Sequence, residues 1–274
     1  MKYIRIKMLA ALGVLVVFSL VQIPTAQTAD VAAIKKRGKL IVAMTGTNIA
    51  FNMVGADGKA LGYDVDISNA IAERLGVGLE VQISRWAGLI PSLMSDKVDM
   101  IAAGMTITEK RREAVDFSIP YFQTYKAVIV NRRKQPNAKT VQEFNRPDIS
   151  VGVVTGSTDE IAAMRILPKA KALRFDSYTS VGLEVKAGRV DVMMADVVFA
   201  KIYTKKNPDE LYYVEQPDLQ PEEYAVAVLK GNEPLLKLVN ETLTDLKNSG
   251  RLEKMYQKWF VSMEWVQEMG LWSK

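Results

Sequence analysis

Short apolar runs that alternate with amphipathic segments restrict the fold of this chain more than any other feature. Residues 40–44 and 79–83 have the length and composition of buried strands, and residues 63–75 between them are predicted as a helix. Such alternation is typical of α/β proteins. It resumes at the predicted strand 127–130, and the polar stretch 131–137 that follows is predicted to cross between two α/β units.

A short internal echo supports two related units. Residues 95–101 (SDKVDMI) and 187–193 (AGRVDVM) each join the end of a predicted helix to a basic residue, a Val-Asp pair and a buried strand. In open α/β sheets, ligands bind beyond the carboxyl ends of the strands. Residues 104–111, residues 156–159 and Asp196 follow such ends, so we predict that a cleft lies among them.

The start of the chain has the plan of an export signal. The basic residues Lys2, Arg5 and Lys7 precede the apolar run 8–21, and small and polar residues follow. The alternative is a membrane anchor, but the run is shorter than the roughly 20 residues that a span needs. We therefore predict that residues 1–29 are a cleaved signal peptide of an exported protein, and the absence of cysteine excludes a lipoprotein.

Composition limits the kinds of catalytic and metal site that the chain can form. The chain has no His and no Cys, which excludes histidine-based catalytic triads and the usual histidine-containing zinc sites. Three of the 36 Lys and Arg residues fall in the predicted signal, so the rest nearly balance the 31 Asp and Glu residues. This near-neutral charge gives no indication of a nucleic-acid-binding surface. We predict a monomer with no cofactor, no metal and no nucleic-acid partner.

A set of motifs then makes the chain recognisable. They are GYDVD (62–66), WAGLIPSL (86–93), GMTITEKR (104–111), DFS (116–118), PYF (120–122), GVVTGST (152–158) and AGRVD (187–191). In order and spacing they resemble those of the polar amino acid-binding proteins, family 3 of the periplasmic solute-binding proteins, over about residues 35–260.

The resemblance implies a type II periplasmic-binding-protein fold, in which two crossing strands join two α/β lobes. The first lobe is predicted as the discontinuous unit 30–126 and 225–274, and the second as 127–224. The implied function is capture of a free L-amino acid, with ligand-induced closure and delivery to the permease of an inner-membrane ABC transporter. No enzymatic activity is predicted.

Two other functions remain open. Cyclohexadienyl (arogenate/prephenate) dehydratases resemble these receptors, and such an enzyme needs a carboxyl group as general acid, for which Asp159 or Glu160 is available. The other is a receptor that passes its signal to a partner instead of a transporter.

The resemblance also assigns the residues of the first lobe. Arg111 falls on the arginine that binds a ligand's carboxylate, Thr106 on a hydroxyl that assists it, and Gly104 on a carbonyl that receives the ammonium group. The pattern alone favours another interpretation of Arg111, as part of the solvated charge run 110–112. Trp86 and Phe51 match aromatic residues that cover the ligand's side chain, and each has core packing as its alternative.

In the second lobe, Ser157 and Thr158 match the amide cluster at a helix start that closes on the carboxylate. Asp196 matches the carboxylate that receives the ammonium group. The alternative for all three is ordinary helix capping.

The chain departs from the family near its first strand. Thr45 stands where the family commonly has aspartate, Asn48 where an aromatic is frequent, and Ala50 where proline is common. Without an acid at Thr45 or Asn48, a cationic side chain lacks its usual partner, although Asp159 is a possible substitute. We predict that the site, which includes Asn48, takes a neutral or polar amino acid.

The tail 261–274 extends past the family's usual end. Trp265, Met269 and Trp272 recur at helical spacing. We predict that they pack on the first lobe, the alternative being contact with a partner.

Overall fold

The computed structural model describes residues 31–216 and 221–268, so the predicted signal peptide, Met269 and Trp272 lie outside the described residues. The helices are α1 Val31–Arg37, α2 Tyr63–Leu75, α3 Leu89–Met94, α4 Glu109–Arg112, α5 Thr158–Ile166, α6 Tyr178–Lys186, α7 Val197–Lys206, α8 Glu233–Asn248, α9 Arg251–Tyr256 and α10 Trp265–Glu268. The strands are β1 Lys39–Met44, β2 Thr47–Asn48, β3 Asn52–Val54, β4 Ala60–Leu61, β5 Gly78–Ile83, β6 Met100–Ile101, β7 Val115–Phe117, β8 Phe122–Thr124, β9 Lys126–Asn131, β10 Ser150–Val154, β11 Lys171–Phe175, β12 Val192–Asp196, β13 Leu211–Gln216, β14 Glu222–Tyr224 and β15 Ala227–Leu229.

Two five-stranded sheets have the same plan. The first runs β5-β1-β6-β15-β7 and the second β11-β10-β12-β9-β13. In each sheet, the second strand pairs in parallel with its two neighbours, and the fourth strand pairs antiparallel with both of its own. We call the part of the chain around the first sheet lobe 1 and the part around the second sheet lobe 2. The two-lobed α/β fold is confirmed, whereas the predicted domain bounds stay a prediction.

The internal echo has a structural counterpart. In lobe 1, the Asp99 carboxylate accepts a hydrogen bond of 2.7 Å from the backbone N–H of Ile41 on the neighbouring strand β1. In lobe 2, the Asp191 carboxylate accepts one of 2.9 Å from the N–H of Ser150 at the start of β10. The Val-Asp pair therefore ties together corresponding strands in the two lobes.

The two lobes are connected by a short antiparallel ladder between β8 and β14. The prediction that residues 131–137 cross between the lobes is wrong. Asn131 ends β9 and donates to the carbonyl of Val185, and the N–H of Arg132 donates to that of Glu210, so this stretch stays within lobe 2. Polar composition indicated an exposed connection, but it carries no information on which elements are connected.

The chain returns to lobe 1 through two strands. β14 belongs to the ladder between the lobes and β15 to the first sheet. Trp265 in the tail is buried, and its indole N–H donates to the carbonyl of Trp259 at 3.0 Å. Trp259 in turn donates to Asp66 of α2, so this part of the tail packs on lobe 1 as predicted. Among the described helices, none is long and apolar enough to cross a membrane.

Candidate ligand-binding site

Arg111 is buried at the start of a short helix. The hydroxyl of Thr108 accepts the N–H of Arg111 at 3.2 Å and so caps α4. The Arg111 side chain turns inward and donates from Nη1 to the carbonyl of Thr106 at 2.7 Å. It is 9% exposed, whereas Lys110 and Arg112 on either side are exposed. The interpretation of Arg111 as a solvated surface charge is therefore wrong.

Arg111 takes part in direct contacts between the two lobes. Its guanidinium carbon lies 5.2 Å from the centroid of the Trp86 ring. Trp86 donates from its indole N–H to the carbonyl of Gly156 at 3.0 Å, and Arg111 Nη2 lies 3.4 Å from the same oxygen. The hydroxyl oxygens of Thr106 and Thr158 are 3.3 Å apart. Arg111, Trp86 and Thr106 of lobe 1 thus contact Gly156 and Thr158 of lobe 2.

Two grooves are each lined by residues of both lobes. One has a volume of about 880 Å³ and is lined by Thr106, Thr158 and Glu222 among others. The other, of about 220 Å³, is lined by Thr47, Phe199 and neighbouring residues. Ligand pockets commonly have volumes of about 300–1,000 Å³. The larger groove falls within this range.

Gly104 must be a glycine because of its backbone and its neighbours. Its φ of +61° lies in the left-handed region, and a Cβ would be 3.0 Å from Asn48 Nδ2 and 3.1 Å from the Tyr224 ring. Its N–H lies 3.2 Å from the hydroxyl oxygen of Tyr121, to which it donates. The structure therefore places Gly104 and Asn48, both predicted in the site, side by side.

A buried network supports Gly104 and the loop before Asn52. Asp64 is fully buried and accepts from the Tyr121 hydroxyl at 2.6 Å and from Asn52 Nδ2 at 2.7 Å. The side-chain carbonyl of Asn52 accepts in turn from the Thr45 hydroxyl at 2.7 Å. Burial raises the pKa of Asp64 to about 7, although the hydrogen bonds from Tyr121 and Asn52 oppose this shift.

Asp64→Asn is expected to change how stability depends on pH. Folded Asp64 holds its proton up to about pH 7, whereas an unfolded aspartate loses it near pH 3.9. Between these values the folded chain binds the extra proton, so stability falls as pH rises, by at most about 1.4 kcal/mol per pH unit. Urea unfolding at pH 5, 6 and 7 should show a shallower decline in the variant. The exposed Asp57→Asn is the control, and equal slopes for Asp64→Asn and wild type would refute the assignment.

Asp196 is the last residue of β12 and directly precedes α7, and its side chain makes no capping hydrogen bond. Its Oδ1 instead accepts from the ammonium of Lys126 at 2.9 Å, and its Oδ2 accepts from the hydroxyl of Tyr224. The capping alternative is therefore wrong for this residue. Burial raises the pKa of Asp196 to about 7; Lys126 acts against this shift, and the carboxylates of Asp159 and Glu222 add to it.

Lys126, for which the sequence suggested no role, lies at the centre of the charged groups. Its side chain is 1% exposed, and besides Asp196 its nitrogen contacts Asp159 at 2.6 Å, Thr158 at 3.0 Å and Glu222 at 3.1 Å. Burial alone would lower the pKa of Lys126, but the three carboxylates outweigh it and raise that pKa, so Lys126 is a cation. Burial likewise opposes ionisation of Glu222, but Lys126 and two threonine hydroxyls lower its pKa.

Two of the predicted site residues, Ser157 and Phe51, stabilise the fold. The Ser157 hydroxyl accepts the N–H of Glu160 at 3.2 Å and donates to the carbonyl of Val154 at 2.7 Å, so Ser157 caps α5, as its alternative held. Phe51 is 1% exposed and packs in an aromatic cluster, with ring centroids 4.9 Å from Phe122 and 5.4 Å from Tyr224. Core packing accounts for Phe51, and contact of either residue with a ligand stays a prediction.

Sequence reasoning missed Lys126, Glu222 and Tyr224, which hold Asp196 and Thr158 in place. The one available signal was a lysine at the start of an otherwise apolar strand, KAVIVN, since an unpaired charge is rarely fully buried.

Trp86 is expected to report ligand binding by fluorescence. Its indole bridges to Gly156 of the other lobe, so lobe movement and a ligand beside the ring both change its surroundings. Four tryptophans contribute to the total emission, so the informative comparison is Trp86→Phe with wild type at ligand saturation. A ligand-induced change that is undiminished in Trp86→Phe would assign the signal to another tryptophan.

Two α/β lobes joined by a short ladder, with a buried arginine on one facing surface and a buried carboxylate on the other, define a two-lobed solute-binding protein. The model of the bacterial extracellular solute-binding proteins, family 3, matches residues 40–262, and the chain belongs to this family.

Individual relatives agree with this placement. The chain is 32% identical over 214 residues to a probable histidine-binding protein of Neisseria gonorrhoeae, covering 77% of this chain and 78% of the relative. It is 28% identical over 236 residues to cyclohexadienyl dehydratase of Pseudomonas aeruginosa, covering 85% and 87%. Among solved structures, it is similar to an ancestral amino acid-binding protein described as a precursor of cyclohexadienyl dehydratase, with a TM-score of 0.79, 36% identity and coverage of 84% and 99%.

Proposed function

We propose that the chain is a periplasmic receptor that binds a free amino acid between its lobes and delivers it unchanged to an ABC transporter. The observation that carries the proposal is the split placement of opposite charges, with Arg111 on lobe 1 and Asp196 on lobe 2. The names of the relatives support it, since they include histidine-, cystine-, glutamine- and arginine-binding proteins.

An amino acid zwitterion matches this pair of groups. A guanidinium can hold a carboxylate with two parallel hydrogen bonds, with Thr106 and the start of α5 at Ser157 and Thr158 beside it. The Asp196 carboxylate and the Gly104 carbonyl suit the ammonium group. Because the two ends are bound by different lobes, full pairing exists only in the closed form, and a ligand shifts the equilibrium by this difference in affinity.

The side-chain region favours a neutral or polar amino acid. Thr45 and Asn48 supply no acid near the first strand, and the Thr45 hydroxyl is already bound to Asn52. Asp159, the predicted substitute, accepts from Lys126 through Oδ1 and from the Tyr178 hydroxyl through Oδ2 at 2.8 Å. Asp159 is also fully buried, whereas Asp196 is 6% exposed, so Asp159 is the less accessible of the two carboxylates to a ligand.

A dehydratase is the alternative, and one observation favours it. A buried carboxyl whose pKa is raised to about 7 suits a general acid, and Asp196 has this property. Of the two acids suggested by the sequence, Glu160 is bound to Arg174 and to the N–H of Gly156, and Asp159 pairs with Lys126. We favour binding because Arg111 and Asp196 account for both charged ends of an amino acid, and no catalytic group is needed to explain either residue.

A thermal-shift screen of the twenty amino acids, arogenate and prephenate tests the proposal, after unfolding and refolding to remove ligands carried through purification. A ligand at 100 times its Kd stabilises by about 2.7 kcal/mol, which is readily detected. We expect the largest shift from a neutral or polar amino acid, with no product formed. A screen with no shift would refute amino acid binding, and steady turnover of arogenate or prephenate would establish the enzyme.

The predicted export and cleavage of the chain have their own test. N-terminal sequencing of the exported protein identifies the cleavage site, and recovery of Met1 in a membrane fraction would contradict cleavage after residue 29.

A further inference from the structure

We propose that Lys126 is a specificity determinant of this site, because its ammonium stands where a second cationic group of a ligand would bind. The lysine thereby excludes amino acids with cationic side chains. This inference deepens the proposed function and rests on it for the identity of the ligand class.

The position of Lys126 links it to every charged part of the site. It is the first residue of β9, directly after the ladder between the lobes, and in the second sheet it pairs with Asp196. Its nitrogen contacts oxygens on α5, β12 and β14, at distances between 2.6 and 3.1 Å. An ammonium group has three N–H donors, so these four oxygens saturate it.

The carboxylates that contact Lys126 also contact, or belong to, the residues proposed to bind the ligand. Asp196 is the proposed acceptor of the ligand's ammonium group, and Lys126 contacts one of its two oxygens. Glu222 accepts from the hydroxyls of both Thr106 and Thr158, at 2.7 and 2.8 Å. Lys126 is therefore adjacent to the residues proposed for both ends of the zwitterion.

Charge balance gives the lysine its selective effect. Three carboxylates surround one ammonium, and a buried carboxylate without a cation is costly. With Lys126 in place, the three carboxylates share one cation at 2.6–3.1 Å, and a second cation from the ligand meets a like charge there. Without it, Asp159, Asp196 and Glu222 form an anionic space that favours a cation from the ligand.

The first test is the affinity of Lys126→Gln for arginine and lysine relative to glutamine, measured by calorimetry. One gained charge-assisted contact corresponds to about tenfold or more in affinity, so we expect the ratio to shift toward the cations by at least this factor. Lys201→Gln, a substitution of a more exposed lysine in α7, is the matched control. An unchanged ratio in folded Lys126→Gln would overturn the proposal.

The second test does not depend on amino acid binding. Lys126→Ala removes the side chain beyond Cβ, and n-propylammonium has the same three carbons and nitrogen. We expect n-propylammonium to raise the melting temperature of Lys126→Ala, or to restore cooperative folding, but to leave the wild type unchanged. Tetramethylammonium, which has no N–H donor, controls for ionic strength. Equal effects of both cations on the variant would overturn the proposal.

The two tests separate this inference from the proposed function. If the wild type binds glutamine or another neutral amino acid but Lys126→Gln gains nothing for cations, the inference fails alone. If the wild type binds no amino acid while n-propylammonium rescues Lys126→Ala, the proposed function fails and the built-in cation site stands.

Discussion

Arg111→Ala is expected to lower the affinity for the amino acid ligand by about tenfold to over a hundredfold, while the protein remains folded. The substitution removes a charge-assisted contact worth roughly 1.5–3 kcal/mol, and more if the ligand's carboxylate stays buried without a partner. Calorimetry measures the affinity, and circular dichroism checks the fold.

Two further substitutions, one at Lys110 and one at Arg111 itself, serve as controls for this experiment. Lys110→Ala removes an equal charge from the exposed position before Arg111 and should leave affinity unchanged. Arg111→Lys keeps the charge but loses the planar fork, so it should fall between wild type and Arg111→Ala. Unaltered affinity in folded Arg111→Ala would refute the proposed role of the arginine.

Asp196→Ala is expected to reduce affinity by about tenfold or more, since the ligand's ammonium group loses its charged acceptor. It should also lower stability, because Lys126 and the Tyr224 hydroxyl lose a buried partner. Asp196→Asn keeps the shape and one acceptor oxygen, so its effects should be smaller. Normal affinity in folded Asp196→Ala would exclude this carboxylate from the site.

The pKa of Asp196 adds a distinct signature. Burial raises the pKa of Asp196 to about 7, above the ordinary value of an aspartate. An ammonium ligand prefers the ionised form, so binding releases the proton and affinity should rise from pH 6 to pH 8. Calorimetry in two buffers of different ionisation enthalpy should give different heats for wild type but equal heats for Asp196→Asn. Equal heats for wild type would contradict the assignment.

Local patterns predicted much of the fold. The apolar run of β1 and the helix α2 were both predicted close to their observed bounds, because strand and helix periodicity are properties of neighbouring residues. The connection between the lobes was placed wrongly, since polar composition indicates exposure and not topology. The internal echo and the resemblance to the family, rather than periodicity, gave the two-lobed architecture.

Only some residues of the site were predicted, because contacts between distant positions leave no local pattern in the sequence. Arg111 was assigned because a family motif contains it, and Asp196 because it follows a predicted strand and matches a family position; the structure buries both. Lys126 was missed because its carboxylate partners lie 33 and 70 positions away and no local pattern joins them. Asp64 was quoted within a motif, but only the fold brings Tyr121 to it across 57 positions.

The central claim is that an amino acid is held between the two lobes and draws them together. Small-angle scattering of the refolded, unliganded protein, with and without a saturating amino acid identified by the screen, tests it most directly. The account predicts that the radius of gyration falls on saturation toward the value calculated for the lobes in contact through Trp86 and Gly156. A radius of gyration that stays unchanged at calorimetrically verified saturation would contradict capture by closure.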